Sequence, residues 1–432
     1  MIYYTIRVKL IDLSVSGEFR PRRKICNRGG FPLKKLCGYL VAAIFAGITY
    51  VLSLYGKQFS ALIDMVYPYV IRTLEATLAS WSGQVDFLLW QFLAVALAVV
   101  LIAVLVVFIV TKKSIIQWFG WVLATVSFVF MLHTVVYGMN YYAGDLADDL
   151  RMDVSGCTIS EIVEATEYYQ GQANALATQM NRDGSGSLAF EDFGTLAARA
   201  GKGFEYLTYQ RFFPVFAGST EPVKKLGWAD LFSSMGITGY TFPLTGEAAV
   251  NPQIPASALP FTMCHEMAHR MCIASERDAN FAAFLACSFN NNRQYQYSAY
   301  FMAYRYCYTA LYSVGRSTSI DPKLVAEAAS EANRIAGNVN SYLRKDMDDY
   351  DRFFNSRKNS FATDVADTVN DLYLKASGEA SGTASYGQVC DLLVNWHIQE
   401  VVLPAIAVEE SRFDPYDETQ VDLSGIVNAR GY

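Results

Sequence analysis

The chain has 432 residues, 52% of them hydrophobic and only 18% charged, with a net charge of −6. That length exceeds one ordinary domain, and the apolar excess excludes a wholly soluble protein of average composition. The negative balance also argues against nucleic acid as a partner.

The first 35 residues hold nine Lys or Arg against only Asp12 and Glu18. Three uncharged runs follow, at about 36–56, 87–111 and 115–138. Each matches the roughly 20 apolar residues that a hydrocarbon core requires. The spacing predicts three transmembrane helices across a membrane domain of residues 36–142. Lys112 and Lys113 fill the gap between the second and third runs, whereas residues 57–86 carry only Lys57 and Arg72 as basic groups. Positive residues stay inside, so the arm of residues 1–35 and the 112–114 turn are expected in the cytoplasm. Everything after about residue 143 is then extracytoplasmic, in a cell membrane. The basic arm suits anionic lipid better than nucleic acid.

Residues 57–86 read as a loop with an amphipathic helical stretch near 61–78. Ser160 is a candidate N-cap for a helix reaching about Met180. Asn181, Asp183, Ser185, Gly186 and Asp192 then follow an EF-hand spacing. Position 1 is Asn, position 12 is the shorter Asp, and no second EF-hand pairs with it. A Ca²⁺ loop and a plain Asp/Gly/Ser turn both remain open here.

GYTFPLTG at 239–246 and the β-branched residues around it read as short strands. Pro243 cannot donate to a central ladder, so this is an edge strand, with Tyr240, Phe242 and Leu244 facing a bound substrate. Pro260 suits the first turn of the next helix. After residue 292 the pattern is largely helical to about Val402, with a Gly/Ser break at 377–386. Residues 143–411 form the catalytic region, and 412–432 a polar tail.

His265-Glu266-Met267-Ala268-His269 lies on the helix after Pro260, and only four histidines exist in the chain. Positions i and i+4 share a helix face, so both imidazoles reach one metal ion. Glu266 between them is placed to take a proton from water. A catalytic Zn²⁺ needs a third protein ligand. His133 lies in the third apolar run and His397 is remote, so a carboxylate is favoured. Glu276, in the segment SERDANFA at 275–282, is the first choice and Asp278 the alternative. Ser275 would cap that helix, and Asn280, one turn beyond Glu276, would support a ligand. Thiolate ligation by Cys264 or Cys272 is disfavoured beside an oxygen ligand at a hydrolytic site. Tyr297, Tyr386 and His397 are candidates for the oxyanion donor. The eight cysteines permit disulfides without indicating a pairing.

The edge-strand segment, HEMAH and SERDANFA together resemble an uncharacterised family of bacterial multi-pass membrane proteins with a zincin-like ectodomain. Residues 293–298, 369–375 and 385–387, and the three spans, extend the similarity over about 36–397. Two departures stand out: Cys272 occupies a position where the family turn has Gly, and Asp278 replaces a Glu. The resemblance implies no activity of its own, and it does not include the EF-like loop.

The expected fold is mainly α: three transmembrane helices, then a mostly helical zincin-like α+β metallopeptidase domain with a small edge-strand sheet. The expected function is hydrolysis of a peptide or protein substrate by a membrane-anchored zinc metallopeptidase. Glu266 serves as general base. A catalytically silent binding or sensory module is the alternative. Charged residues around the motif disfavour proteolysis inside the bilayer. Oligomeric state stays open.

Overall fold

The computed structural model of the chain describes residues 36–356 and 389–404, with Thr368 between them. The basic arm, Tyr386, the 369–375 and 385–387 segments and the polar tail lie outside the described residues.

Helices α1 (Cys37–Tyr55) and α2 (Ser60–Val66) are joined by a 3₁₀ turn, and α3 (Ile71–Ser82) follows. The expected amphipathic stretch at 61–78 thus falls on two helices. Next come α4 (Leu89–Val110) and α5 (Ile115–Val136). The segment Cys37–Val66 and helices α4 and α5 are long and apolar enough to cross a membrane. Their apolar side chains are exposed: Val99, Ile102, Val106, Phe119 and Val126 are each more than half exposed. Such surfaces are stable only against lipid, and this is a membrane protein. At 1.5 Å per residue the 22 residues of α4 or α5 span about 33 Å, close to the hydrocarbon thickness. Small residues let α1 meet α5 closely: a Cβ on Gly38 would fall 2.5 Å from the Gly120 carbonyl carbon.

The remaining elements are α6 (Leu146–Asp149), α7 (Ile159–Ala177), α8 (Phe193–Tyr209), β1 (Lys224–Lys225), α9 (Ala229–Ser234), β2 (Gly239–Phe242), β3 (Glu247–Val250), α10 (Leu259–Arg270), α11 (Glu276–Ser288), α12 (Arg293–Val314), α13 (Pro322–Gly337), α14 (Ser341–Asn355) and α15 (Val389–His397). Ser160 is not the cap of α7. Thr158 caps it, because Thr158 and Glu161 form a reciprocal capping box: Glu161 N donates to Thr158 Oγ1 and Thr158 N to Glu161 Oε2. Ser275 does cap α11.

Helix α11 runs through the middle of the globular half. Ala279, Ala282, Ala283 and Ala286 are fully buried, which lets neighbouring backbones close in. A Cβ on Gly203 of α8 would land 1.7 Å from the Ala286 carbonyl oxygen. Phe204, Tyr169, Phe281 and Tyr304 fill the space around it.

The sheet has the order β1–β3–β2, with β1 parallel and β2 antiparallel to β3. Two-residue β1 is too short for periodicity to reveal. Strand β2 is an edge strand among the described residues, and Tyr240 pairs with Ala249. It ends at Phe242, because Thr245 N and Gly246 N bond back to Phe242 and Pro243. Leu244 therefore lies in the turn rather than on the strand. Gly246 has φ +64°, and a Cβ there would be 2.4 Å from Ala79 N, so α3 packs directly on this turn.

Candidate metal centre

Helix α10 ends in a Schellman turn. Cys272 N donates to the His269 carbonyl at 3.0 Å and Ile273 N to the Ala268 carbonyl at 3.1 Å. Cys272 takes the left-handed residue of this turn, at φ +70°. Glycine adopts that conformation without strain, and here a cysteine accepts the same shape. The turn reverses the chain so that α11 returns its first residue, Glu276, to the histidines.

His265, His269 and Glu276 converge, with ligand atoms within 4.8 Å of one another. The two Nε2 atoms are 3.0 Å apart. Glu276 Oε2 lies 3.3 Å from His265 Nε2, and Oε1 lies 3.7 Å from His269 Nε2. A tetrahedral metal with bonds of about 2.0–2.1 Å separates its ligands by about 3.3–3.4 Å, so the spacing fits zinc. The carboxylate is the expected Glu276. Asp278 points elsewhere and accepts from Leu146 N at 3.3 Å.

His269 is oriented from behind. Its Nδ1 lies 2.8 Å from the Ile273 carbonyl, which can only accept. Nδ1 therefore carries the proton, and Nε2 presents its lone pair to the centre. The Tyr137 hydroxyl oxygen also lies 2.9 Å from Nδ1. Burial, then His265, pushes His269 down to about 4. For His265, burial acts downward, but Glu276, Glu266 and Asn280 outweigh it and hold the ring above its ordinary value. Asn280 stands beside His265 as expected, and its Oδ1 accepts from the Tyr306 hydroxyl at 3.1 Å.

Glu266 is buried against β2. Thr241 Oγ1 lies 2.9 Å from Glu266 Oε2 and 2.8 Å from its backbone carbonyl. Gly239 makes the room: a Cβ there would be 2.4 Å from Glu266 Oε1. Burial chiefly raises the carboxyl to about 7, with Glu276 adding to the rise. A carboxylate that titrates near neutrality can both take and return a proton. Tyr240 lies on the opposite face of β2, and burial raises its hydroxyl to about 12, assisted by Glu266.

Other expected residues do not join this cluster. The Tyr297 hydroxyl donates to Asp346, which Arg182 grips with two bonds of 2.8 Å; it serves that buried network instead of an oxyanion. His397 is packed between Tyr168 and Tyr169. Burial raises the Cys272 thiol to about 12, and Cys264 donates to the Ala200 carbonyl. The seven described cysteines form no disulfide. In the 181–192 loop, Asp183 Oδ1 accepts from Ser185 and Ser187, while Asp192 caps α8 through Gly194 and Thr195. Among the described residues no second cluster of three His, Cys, Asp or Glu gathers.

The membrane half reaches into this site. Glu247 of β3, its side chain fully buried, accepts from Leu89 N at 2.7 Å and Trp90 N at 2.8 Å, the first turn of α4. Lys224 Nζ at 2.7 Å and Thr245 Oγ1 at 2.8 Å are its other partners. Trp90 stacks on Phe242 at 5.4 Å and tilts against Tyr240 at 5.8 Å. Tyr137, Gly239, Thr241 and Trp90 carry no motif signal that would have singled them out in the sequence.

The model of one family aligns with residues 63–394, from the middle of α2 into α15 and across the whole His/Glu cluster. The chain belongs to DUF3810, a family of proteins of unknown function. No curated protein and no solved structure matches the chain. The DUF3810 segment includes two of the three spans complete, so the membrane helices and the His/Glu cluster belong to one family unit.

Proposed function

We propose that this DUF3810 protein is a membrane-anchored zinc metallopeptidase of zincin type. The observation that carries this is the convergence of His265, His269 and Glu276 beside a buried Glu266 that titrates near neutrality. Zinc held by those three residues would supply Lewis-acid polarisation of the scissile carbonyl and of water. Glu266 takes the proton of the attacking water and delivers it to the leaving amine. Thr241 orients the carboxylate for that transfer. The Ile273 carbonyl and Tyr137 keep His269 in the tautomer that ligates. The open edge of β2 offers backbone groups to an extended peptide, with Tyr240 and Phe242 beside it.

The catalytic half faces the extracytoplasmic side in this proposal, because the basic arm and Lys112–Lys113 stay inside. A topology reporter fused after residue 150 tests that side. The start of α4 and the end of α5 both contact the catalytic half, as three crossings require. The activity test uses full-length protein in nanodiscs. One zinc per chain is expected. Wild type cleaves a randomised peptide library, and Glu266→Ala retains the zinc while losing about 10²–10⁴-fold in rate. Absence of stoichiometric zinc overturns the proposal. Zinc without turnover by wild type leaves a silent binding module.

A further inference from the structure

The His/Glu cluster lies close to the ends of two candidate spans. Tyr137 is the first residue after span helix α5, and its hydroxyl touches His269 Nδ1 at 2.9 Å. One tyrosine side chain therefore separates a metal ligand from the end of the span. On the other side, β2 is stacked against Trp90 in the first turn of α4. Both helices match the hydrocarbon thickness with little slack, so their ends mark its boundary. Beyond that boundary the headgroup layer is about 5–8 Å deep in each leaflet.

A third contact lies at the same level. Gln91 Nε2, on the first turn of α4, donates to the Gly227 carbonyl at 3.3 Å. The next residues carry apolar side chains outward: Trp228 is 54% exposed and Leu231 on α9 is 55% exposed. An exposed Trp and Leu beside the start of a span suit the interfacial layer. Helix α9 leads directly into β2, so the strand proposed to receive substrate follows an element at headgroup depth.

We propose that the substrate is the membrane-proximal segment of a membrane-anchored polypeptide, laid along β2 and cut just outside its own span. This rests on the zinc peptidase reading and specifies its substrate class. A soluble protein would have to bring its scissile bond down into the headgroups. The first residues beyond another transmembrane helix are already there. An extended chain advances about 3.3 Å per residue, so two or three residues cross the headgroup layer and bring the chain level with β2. The edge of β2, unpaired among the described residues, favours a polypeptide over a lipid, which has no ladder of amides to pair with it.

The test places full-length protein in nanodiscs together with a single-pass helix. A randomised window follows that helix either directly or after a flexible spacer of about 30 residues, which reaches far beyond the headgroups. The same library is also supplied free in solution, and Glu266→Ala sets the background. Both tethered windows share the disc, so their comparison separates depth from mere local concentration. Cleavage of the adjacent window at least about ten-fold faster than the spaced window supports the inference. Equal cleavage of both windows, or faster cleavage of the free library, overturns it and leaves the peptidase reading standing. No cleavage of any library by zinc-loaded wild type overturns both. A nitroxide placed by Leu231→Cys gives a reading independent of activity. Collision with lipid-soluble oxygen is expected to exceed collision with a water-soluble nickel complex, and the reverse overturns the inference.

Discussion

Gly239→Ala tests the proposed base separately from the proposed metal ligands. The new Cβ would stand 2.4 Å from Glu266 Oε1 and 2.7 Å from both Cγ and Cδ, whereas ordinary contact begins at 3.4 Å. Glu266 must therefore retreat by about 1 Å. A rotation of its carboxylate tip alone does not relieve the contact, because Cγ is also too close. The retreat stretches the 2.9 Å contact with Thr241. A displacement of that size at a reacting group costs about 100-fold in rate, or roughly 2.7 kcal/mol of barrier. Overpacking costs folding about 1–3 kcal/mol. The three atoms nearest the new methyl all belong to Glu266, so zinc content is expected to stay at the wild-type level. The assay compares initial rates on the peptide library, zinc by mass spectrometry, and apparent Tm, all with full-length protein in nanodiscs. Activity within about a factor of two of wild type would refute the placement of Glu266 as base. Loss of zinc in step with activity would show that β2 supports the metal instead.

Tyr137→Phe removes the hydroxyl at His269 Nδ1 but leaves the Ile273 carbonyl in place. Zinc affinity, read by chelator competition, is expected to fall about ten-fold, and unchanged affinity defeats that role. Glu75 of α3 is 2% exposed, and burial raises its carboxyl to about 9 despite nearby Arg270. The folded state then holds a proton that the unfolded chain releases above its ordinary value of 4.5. This contribution is complete below about pH 4.5 and is lost as pH rises toward 9, so stability declines with pH across that window. Glu75→Gln is expected to flatten the dependence of apparent Tm on pH between about 5 and 9; parallel curves for the two proteins would sink the assignment. Cys272→Gly relieves a left-handed cysteine and is expected to raise stability by up to about 1 kcal/mol, read as a higher apparent Tm with unchanged zinc.

The His265, His269 and Glu276 cluster was legible because it is local. His265 and His269 share one helix face, and Ser275 announces the helix that begins with Glu276. The three spans were legible because lipid imposes a composition on every face of a helix. Support for the site was not legible, since it comes from across the chain. Tyr137 and His269 are 132 residues apart, and Glu247 and Leu89 are 158 apart. Nothing local distinguishes Tyr137 among 28 tyrosines. Tyr297 illustrates the converse. Its place in the sequence suggested a donor near the site, but the hydroxyl serves Asp346, a partner 49 residues away. Thr158 shows a third limit, since two hydroxyl residues competed for one cap and only the Glu161 pairing decides between them.

The grip of Glu247 on α4 bears on how the protein can be cut. A fragment starting near residue 143 would lose Leu89 N and Trp90 N, leaving the carboxylate with Lys224 and Thr245. It would also lose the Tyr137 hydroxyl and the α3 surface under the β2–β3 turn. The spans are thus more than an interchangeable tether for the globular half. They supply one wall of the site, and a water-soluble version would need a designed replacement for that wall.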